Sequence, residues 1–457
     1  MNNLLSIEKR DKTVVPYDLT KIKNAMEKAI MAINNDVDEN ISETLLTLSN
    51  QVKSKCLEYA YDHSTTVIPL EVIQNFVEET LVEANLPDVA KEYILYRNKR
   101  NEIRNTNFKI SECIDEILNK SSKDSNLKRD NANINGDTAM GTMLQIGANS
   151  SKIYYLENMI NKTAAEHHKQ GLIHIHDLDF YALTVTCCQI DCLKLFKNGF
   201  ATGNGFLREP NSIASYTALA AIAIQSDQND CHGGQSIPNF DYSMAPGVKK
   251  SFRKIFISEL VKLLQYSPQF FFSLLPIDNE YVEKLVIRNE KKLGEELSIS
   301  TLNKFVDALG LDYSDQKIIQ FKENVMNELD RQTFQAMEGF VHNLNTMASR
   351  AGSQVPFSSV NLGTDTSEEG RIVTKNLLKA MEAGLGHGET AIFPIVVFKV
   401  KKGVNFDKKD PNYDLLRYSF QVTSKRLFPN YVFLDAPQNI IYYKEGHPET
   451  EVATISH

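Results

Sequence analysis

The sequence predicts an α/β protein that begins with a small, mostly helical domain. Three observations carry this prediction. The first hundred residues combine two short apolar strands with helical periodicity. A polar stretch rich in Asn, Lys and Asp follows over 101–140, which we interpret as a linker or an exposed segment. From 141 to 457, short apolar runs typical of buried strands alternate with helical segments, as in proteins built on a parallel sheet.

The elements of the first domain, 1–100, follow from the spacing of apolar residues. Each helix start is marked by a change from extended to helical periodicity, and Pro is favoured in a first helical turn. The predicted elements are strands over 4–7 and 13–16, which pair as a hairpin, and helices that begin near Leu19, residue 40, Pro69 and Leu86.

The second domain, 141–457, is predicted in the same way. The continuous apolar run at 183–190 is typical of a strand buried on both faces. The predicted strands cover 172–177, 183–190, 356–362 and 390–400, and the predicted helices cover 145–169, 212–226 and 374–385, with a charged helical region over 280–345.

Composition excludes several classes of protein. The 457 residues carry a net charge of −8, which argues against a general nucleic-acid backbone binder but not against a nucleotide in a local cationic pocket. The six cysteines show no disulfide framework, so a reducing cytoplasm is the expected location. The start lacks the apolar core of a signal peptide, and no apolar run approaches the ~20 residues of a membrane span.

Lys9, Arg10 and Lys21 form the first candidate site. A triphosphate needs cations that converge from different segments, because Lys and Arg form charge-assisted bonds to phosphate. An isolated Lys-Arg pair is more often solvated surface charge, so the surrounding pattern has to decide. That pattern consists of Glu-Lys-Arg-Asp at 8–11, Val-Pro-Tyr-Asp at 15–18 and Asp-Val-Ala-Lys-Glu-Tyr-Ile-Leu-Tyr-Arg at 88–97.

These motifs resemble the start and the end of an ATP-cone domain. The resemblance implies that 1–100 is an allosteric domain, in which ATP permits activity and dATP stops it. It implies that Lys9, Arg10, Lys21 and Lys91 contact the phosphates of these effectors. Gln74 stands where some cones carry a His, so recognition of the base stays open.

A group of cysteines forms the second candidate site. Because alternate residues of a strand face opposite sides, only one of Cys187 and Cys188 can face a central cavity. Buried structural cysteines are common, which is the plain alternative. A metal site at Cys188 and Cys192 lacks a second Cys or His pair at a zinc-like spacing, so we predict no metal site.

The motif His-Asp-Leu-Asp-Phe-Tyr at 176–181, followed by Cys-x-x-Ile-Asp at 187–191, resembles the first barrel strand of the anaerobic (class III) ribonucleoside-triphosphate reductases. The stretches 199–204 and 210–213 continue this resemblance. By the spacing to Ile-Asp, the family's barrel cysteine corresponds to Cys187. The resemblance implies that this thiol faces the ribose and takes part in reducing its 2′ position.

The block 345–363 resembles the family's SRAG-Q-PFSS-N-G strand and is the most distinctive stretch of the chain. Its Ser358, Ser359 and Asn361 can offer directed hydrogen bonds to ribose or phosphate, which makes them candidate substrate contacts. For any single residue, an ordinary loop that enters a strand is the plainer interpretation. No side chain of the block is therefore singled out as the one that touches substrate.

The Gly-rich stretch 384–394 also resembles the family. It lacks the Gly-Lys-Ser/Thr ending of a P-loop, so an NTPase is not predicted. His387 and Glu389 in this stretch, and His232 in a similar turn, receive no assigned role, because a loop His is usually a polar surface residue.

The resemblance as a whole implies an incomplete ten-stranded α/β barrel of the glycyl-radical-enzyme type behind the cone. The implied activity is the anaerobic reduction of ribonucleoside triphosphates to 2′-deoxyribonucleoside triphosphates by radical chemistry. The implied partners are an activase that uses S-adenosylmethionine, deoxynucleotide effectors and further copies in a homo-oligomer. Electrons would come from formate or a thiol protein.

Relatives continue from the Pro-Glu-Thr-Glu-Val-Ala motif at 448–453 into the thiyl-radical loop, whereas this sequence reads Ile-Ser-His at 455–457. We therefore expect a partial or split form without the glycyl radical and zinc sites, inactive unless a separately encoded remainder joins it. Two alternatives stay open. One is a glycyl radical enzyme of the pyruvate formate-lyase type, which has no reason to sense ATP against dATP. The other is a non-catalytic nucleotide-binding regulator.

Overall fold

The computed structural model describes residues 5–34, 39–119, 138–182, 187–265, 277–311, 315–350 and 353–455. The chain divides into two compact units, one of residues 1–115 and 152–174 and the other of residues 116–151 and 175–457. No helix in these described ranges is both long and apolar enough to cross a membrane. The domain boundaries expected from the sequence stay a prediction.

A three-stranded sheet organises the first unit. Strand β1 (Ser6–Glu8) lies between β2 (Val14–Pro16), which is antiparallel to it, and β3 (Val67–Pro69), which is parallel. The predicted hairpin is therefore confirmed. Strand β3 was not predicted, because three residues ahead of a helix give too short a pattern to recognise.

Four helices pack on this sheet. They are α1 (Leu19–Asn34), α2 (Glu39–Asp62), α3 (Leu70–Glu83) and α4 (Pro87–Asn119). Their inward residues form one apolar core that includes the fully buried Met26, Leu45, Ile68 and Leu81. The four predicted helices are thus confirmed, with boundaries within a few residues.

Helix α4 continues into 101–140, the stretch interpreted as a linker or an exposed segment. Its last 19 residues, 101–119, are helical, although most are exposed as expected. The reason is that this polar stretch contains helix-compatible residues and neither Gly nor Pro. The loop predicted around 121–137 lies outside the described residues.

The prediction of one continuous helix over 145–169 is wrong. The structure has α5 (Ala139–Asn158) and α6 (Lys162–Lys169) instead. Asn161 separates them, because its side chain accepts a hydrogen bond from the backbone N–H of Thr163 at 2.9 Å and so caps a new helix. Gly171 follows α6 with φ +75°, which agrees with the predicted stop.

A five-stranded parallel sheet forms the centre of the second unit, in the order β10-β9-β8-β7-β4. A small antiparallel pair, β5 and β6, lies apart from it. The strands are β4 (Cys188–Gln189), β5 (Phe200–Ala201), β6 (Phe206–Leu207), β7 (Gln235–Ile237), β8 (Ser358–Leu362), β9 (Ile395–Val400) and β10 (Asn430–Phe433).

Helices connect these strands, as the parallel arrangement requires. They are α7 (Cys192–Phe196), α8 (Ile213–Asp227), α9 (Phe240–Gln265), α10 (Asn279–Leu293), α11 (Leu302–Ala308), α12 (Asp315–Thr346), α13 (Glu368–Ala383), α14 (Tyr413–Arg426) and α15 (Pro437–Ile440). The predictions of α8, of α13 and of a helical region over 280–345 are confirmed. Ser212 caps α8 in a capping box with Ser215.

Three predicted strands need correction. Residues 172–177 are turns rather than a strand, because Asp177 adopts a left-handed conformation with φ +50° and leads into a 3₁₀ turn at Leu178–Phe180. Of the strand predicted over 183–190, residues 183–186 lie outside the described residues, and only Cys188–Gln189 pair with β7. The strand predicted from 390 begins at Ile395, after Pro394, which has no N–H to donate to a neighbouring strand.

The two faces of the large sheet differ in chemistry. Ile237, Val360, Val396 and Phe398 lie on one face within the main apolar core, on which α8 and α9 pack. By the strand register, the other face carries Gln189, Ser236, Ser359, Asn361 and Lys399. This polar face identifies the candidate site. The α/β prediction is confirmed, and the described strands form an open five-stranded part of the expected barrel.

Candidate functional site

Residues 448–455, which we call the strap, lie across the polar face of the sheet. Gln189 of β4 donates a hydrogen bond to the carbonyl of Ala453 at 3.1 Å. Asn361 of β8 donates to the carbonyl of Thr454 at 3.0 Å and accepts from its N–H at 3.0 Å. Ser236 of β7 donates to the same carbonyl at 3.5 Å. One polar side chain from each of three strands therefore holds the backbone of the strap.

A buried ion pair ties the strap to the fourth strand. Lys399 of β9 is fully buried, and its Nζ lies 3.3 Å from Oε2 of Glu451, whose side chain is 3% exposed. Lys401 approaches the other oxygen of Glu451 at 3.3 Å, and Thr364 donates to Oε2 at 2.7 Å. Burial lowers the pKa of Lys399, and the negative charge of Glu451 opposes that change.

Asp241, at the start of α9, fixes the loop that follows β8. Its Oδ2 accepts hydrogen bonds from the backbone N–H groups of Gly363, Thr364 and Asp365 at 2.8, 3.1 and 3.0 Å. Burial raises the pKa of Asp241, and burial together with the charge of Asp241 raises that of Asp365 to about 6. The carboxyl ends of β7, β8 and β9 thus carry a dense cluster of buried charge beside the strap.

The structure separates the three predicted substrate contacts. All three are buried, but Ser359 and Asn361 belong to the polar face, whereas Ser358 pairs with Gln235 in register and belongs to the opposite face. The hydroxyls of Ser358 and Ser359 find no hydrogen-bond partner within the described part of the chain. A role for these residues in substrate binding stays a prediction, and the geometry favours Ser359 and Asn361.

The two adjacent cysteines lie at the start of β4. Cys188 lines a cavity of about 500 Å³ together with Ala223 and Asp227 of α8, on the helix side of the sheet. Burial, and the nearby carboxylate of Asp227, raise the pKa of the Cys188 thiol to about 11. Cys187 is half-buried and immediately precedes β4, where alternation places it with Gln189 on the polar side. Its redox role stays a prediction.

The histidines without an assigned role have structural partners. The ring of His232 stacks on Phe180 at a centroid distance of 3.7 Å, and its Nε2 lies 3.5 Å from Oδ1 of Asp177. Burial lowers the pKa of His232. The side chain of Glu389 accepts a hydrogen bond from the backbone N–H of His387 at 2.9 Å, which closes the turn. Within the ranges that the structure describes, no group of three or more His, Cys, Asp or Glu side chains is arranged to hold a metal ion.

The predicted phosphate contacts of the first unit lie on three of its segments. Lys9, Lys21 and Lys91 are exposed, and none of the three forms an ion pair with another described residue. Arg10, in the turn between β1 and β2, instead forms an ion pair with Glu71 and donates to Oε1 of Gln74 at 3.1 Å. The lysines are thus available to a ligand, whereas Arg10 is engaged by α3.

Sequence reasoning missed a group of arginines on α4. Arg97 forms ion pairs with Glu71 at 2.6 Å and Glu78 at 2.7 Å. Burial and the nearby charges of Arg10 and Arg100 lower the pKa of Arg104, which places these three guanidinium groups close together. Their signal was present in the sequence, because residues 97, 100 and 104 share one face of a helix.

Two family models match this chain, one in each part of the sequence. The family model described as anaerobic ribonucleoside-triphosphate reductase matches residues 130–454, and the model described as ATP cone domain matches residues 5–102. The chain is 25% identical over 430 residues to the anaerobic ribonucleoside-triphosphate reductase of Haemophilus influenzae, covering 93% of this chain and 52% of that protein. It is also 25% identical over 432 residues to the enzyme of that name from Escherichia coli, covering 94% and 51%.

The fold is similar to a solved structure of the anaerobic ribonucleotide reductase from Thermotoga maritima in complex with dATP and CTP. The TM-score is 0.44 and the sequence identity 13%, over 75% of this chain and 51% of that one. The chain spans about half the length of the curated relatives that it matches.

Proposed function

Because the chain belongs to the anaerobic ribonucleoside-triphosphate reductase family and begins with an ATP cone, we propose that it contributes to the reduction of ribonucleoside triphosphates to 2′-deoxyribonucleoside triphosphates. The relatives carry that activity in their names. The observation that supports it in this chain is the polar face of the sheet, where Asn361 and Ser359 of β8 are separated by one strand, β7, from β4, which begins after Cys187. The family match decides against the pyruvate formate-lyase alternative.

In this proposal Cys187 is the thiol that faces the ribose. A thiol can give a hydrogen atom to a carbon-centred radical, which Ala or Ser cannot do. Ser359 would orient the sugar through its hydroxyl, which has no hydrogen-bond partner among the described residues. Asn361 would do so by exchanging its hydrogen bonds to Thr454 of the strap for hydrogen bonds to the sugar. The family's glycyl radical would supply the unpaired electron, and this chain's own residues would bind and orient the nucleotide.

The cone would act as the allosteric sensor. Lys9, Arg10, Lys21 and Lys91 would contact the phosphates of ATP or dATP, and the three exposed lysines are free to do so without breaking an ion pair in the described residues.

The proposed partners follow from the same family. An activase that uses S-adenosylmethionine would install the radical, formate or a thiol protein would supply electrons, and the assembly would be a cytoplasmic homo-oligomer. Zinc would belong to the family's cysteine pairs rather than to the residues described here.

An anaerobic reconstitution tests the proposal. This chain is mixed with a polypeptide that supplies the second half of the Escherichia coli relative, its activase, S-adenosylmethionine, formate and CTP, and dCTP is measured by chromatography. We expect dCTP with the wild type, a loss of at least about 100-fold with Cys187→Ala, and retained turnover with Cys188→Ala, the matched control. Unchanged turnover of the Cys187 variant would contradict the assignment. Binding of ATP without any dCTP would favour the non-catalytic regulator.

A further inference from the structure

Four arginines gather at one place on the first unit. We call them the arginine cluster: Arg10, Arg97, Arg100 and Arg104. Arg10 comes from the turn between β1 and β2, whereas the other three lie on α4 at positions i, i+3 and i+7, which share one helix face. Two separate segments therefore bring their guanidinium groups to one surface, which is the arrangement that a polyanion requires.

The carboxylate of Glu71 sits within this cluster. It forms ion pairs with Arg10 and with Arg97, the latter at 2.6 Å, and its pKa is held below the ordinary value by hydrogen bonds from both arginines, against the effect of burial. Glu71 is thus one carboxylate shared by two guanidinium groups. Gln74, one helical turn further along α3, adds a neutral acceptor to Arg10.

Neither Arg100 nor Arg104 forms an ion pair with an acidic side chain of the described residues, although the charge of Glu71 also acts on Arg104. Arg104 donates to the carbonyl of Arg100 at 3.1 Å and to Oδ1 of Asn101 at 2.8 Å. Arg100 donates to the hydroxyl of Tyr96 at 3.0 Å. These acceptors are all neutral, so the cluster carries more positive charge than Glu71 and Glu78 balance. Such a surplus, on side chains already fixed by neutral hydrogen bonds, is suited to an anion.

We infer that the arginine cluster is a binding site for the phosphate groups of the effector nucleotide, and that the carboxylate of Glu71 occupies this site when no nucleotide is bound. A phosphate presents the same paired oxygens to a guanidinium as a carboxylate does, and it carries more charge. The side chains of Glu71 and Arg10 are 45% and 29% exposed, so their ion pair is partly solvated and contributes little free energy. A triphosphate can therefore displace the carboxylate of Glu71. The inference rests on the proposed role of the cone as a nucleotide sensor and adds residues and a competitor to it.

Calorimetric titration of the full chain with ATP, and separately with inorganic triphosphate, tests the site. We expect Arg104→Ala to weaken binding of both ligands by about threefold to tenfold, because one phosphate contact is lost. Lys99→Ala is the matched control: it removes the same charge from an exposed side chain on another face of α4 and should change the affinity less than twofold. Weakening for ATP alone would show that Arg104 acts on the nucleoside, and would overturn the phosphate site.

The role of Glu71 is tested by a substitution that should raise the affinity for ATP rather than lower it. We expect Glu71→Gln to tighten ATP binding by about twofold to fivefold, since Arg10 and Arg97 lose a competing charge. Glu78→Gln removes a competing charge from Arg97 but not from Arg10, and should tighten binding less than Glu71→Gln does. Gln74→Ala releases Arg10 without touching Arg97 and serves if the Glu71 variant folds poorly. If Arg104→Ala and Glu71→Gln both bind ATP with wild-type affinity, the arginine site is wrong but the proposed sensor function stands. If the wild-type chain binds no ATP, both the arginine site and the proposed sensor function are wrong.

Discussion

The Nζ of Lys399 lies 3.3 Å from Oε2 of Glu451, and neither side chain has significant access to solvent, with exposures of 0% and 3%. The two residues come from β9 and from the strap, and Asn239 and Thr364 add hydrogen bonds to the pair. An ion pair buried to this degree is costly to break from one side, because the remaining charge has no water to compensate it.

The substitution Glu451→Gln is therefore expected to destabilise the second unit strongly. Removal of one partner from a buried pair typically lowers the free energy of unfolding by about 3 to 5 kcal/mol. Lys401, which also contacts Glu451, would be left without this partner too. Urea denaturation followed by circular dichroism measures the effect. Glu445→Gln, at an exposed position three residues before the strap, is the control and should shift the free energy by less than about 0.5 kcal/mol. Equal midpoints for the two variants would contradict the expectation.

Asp241→Asn should loosen the loop after β8. One oxygen of Asp241 now accepts three backbone N–H groups, and an amide in its place has a single acceptor oxygen without charge. We expect a loss of about 1 to 3 kcal/mol and faster hydrogen exchange at residues 363–365. Mass spectrometry of exchanged peptides gives the measurement. Asp307→Asn, exposed on α11, provides the comparison, and protection of the loop that persists in Asp241→Asn would count against this role.

Asp365 makes stability depend on pH with a definite sign. Its pKa in the folded protein is raised from 3.8 to about 6, so the folded state binds the proton more tightly than the unfolded state does. Stability from this group is therefore greatest at low pH and is lost as the pH rises from about 4 to 6. Relative to Asp365→Asn, the wild type should lose on the order of 2 kcal/mol between pH 4 and pH 7. Denaturation curves at both pH values measure the difference. A wild type that keeps or gains stability relative to Asp365→Asn between pH 4 and pH 7 would contradict this sign.

Cys188 should react slowly with alkylating reagents. A thiol pKa of about 11 leaves only about one thiol in a thousand ionised at pH 8, and the thiolate is the reactive form. Iodoacetamide labelling, followed by peptide mass spectrometry, should give a rate about 100-fold below that of glutathione. Asp227→Asn removes the neighbouring charge and should raise the rate several-fold. If labelling of Cys188 in the wild type is as fast as that of glutathione, the buried protonated thiol is excluded.

Much of the fold could be predicted because it depends on local patterns. Helix α8 has a capping serine and an apolar sequence, and α1 repeats apolar residues every three or four positions. The assignment of Cys187 and Cys188 to opposite sides rests on the same kind of local pattern, because strand alternation needs no tertiary information, and for Cys187 it stays a prediction. The family resemblance stated from these motifs is confirmed by the match over 130–454.

The rest depended on contacts that no local pattern reveals. Gln189 contacts Ala453 across 264 positions, and Lys399 contacts Glu451 across 52. The motif at 448–453 therefore indicated the family but not that this segment lies across the sheet. The strand predicted over 172–177 was wrong because the left-handed Asp177 interrupts an apolar run that otherwise suits a strand. Residues 97, 100 and 104 of α4 had the right spacing, but only the fold brings Arg10 to them.

The strap also constrains the order in which this molecule can be completed during synthesis. Strands β4, β7, β8 and β9 leave the ribosome well before residues 448–454. Their polar side chains therefore stay hydrated until the strap is synthesised. Contacts of such long sequence separation form late and slowly. Burial of the Lys399 ammonium is compensated only once Glu451 is in place, so closure of the polar face is expected to follow formation of the four strands in one cooperative step.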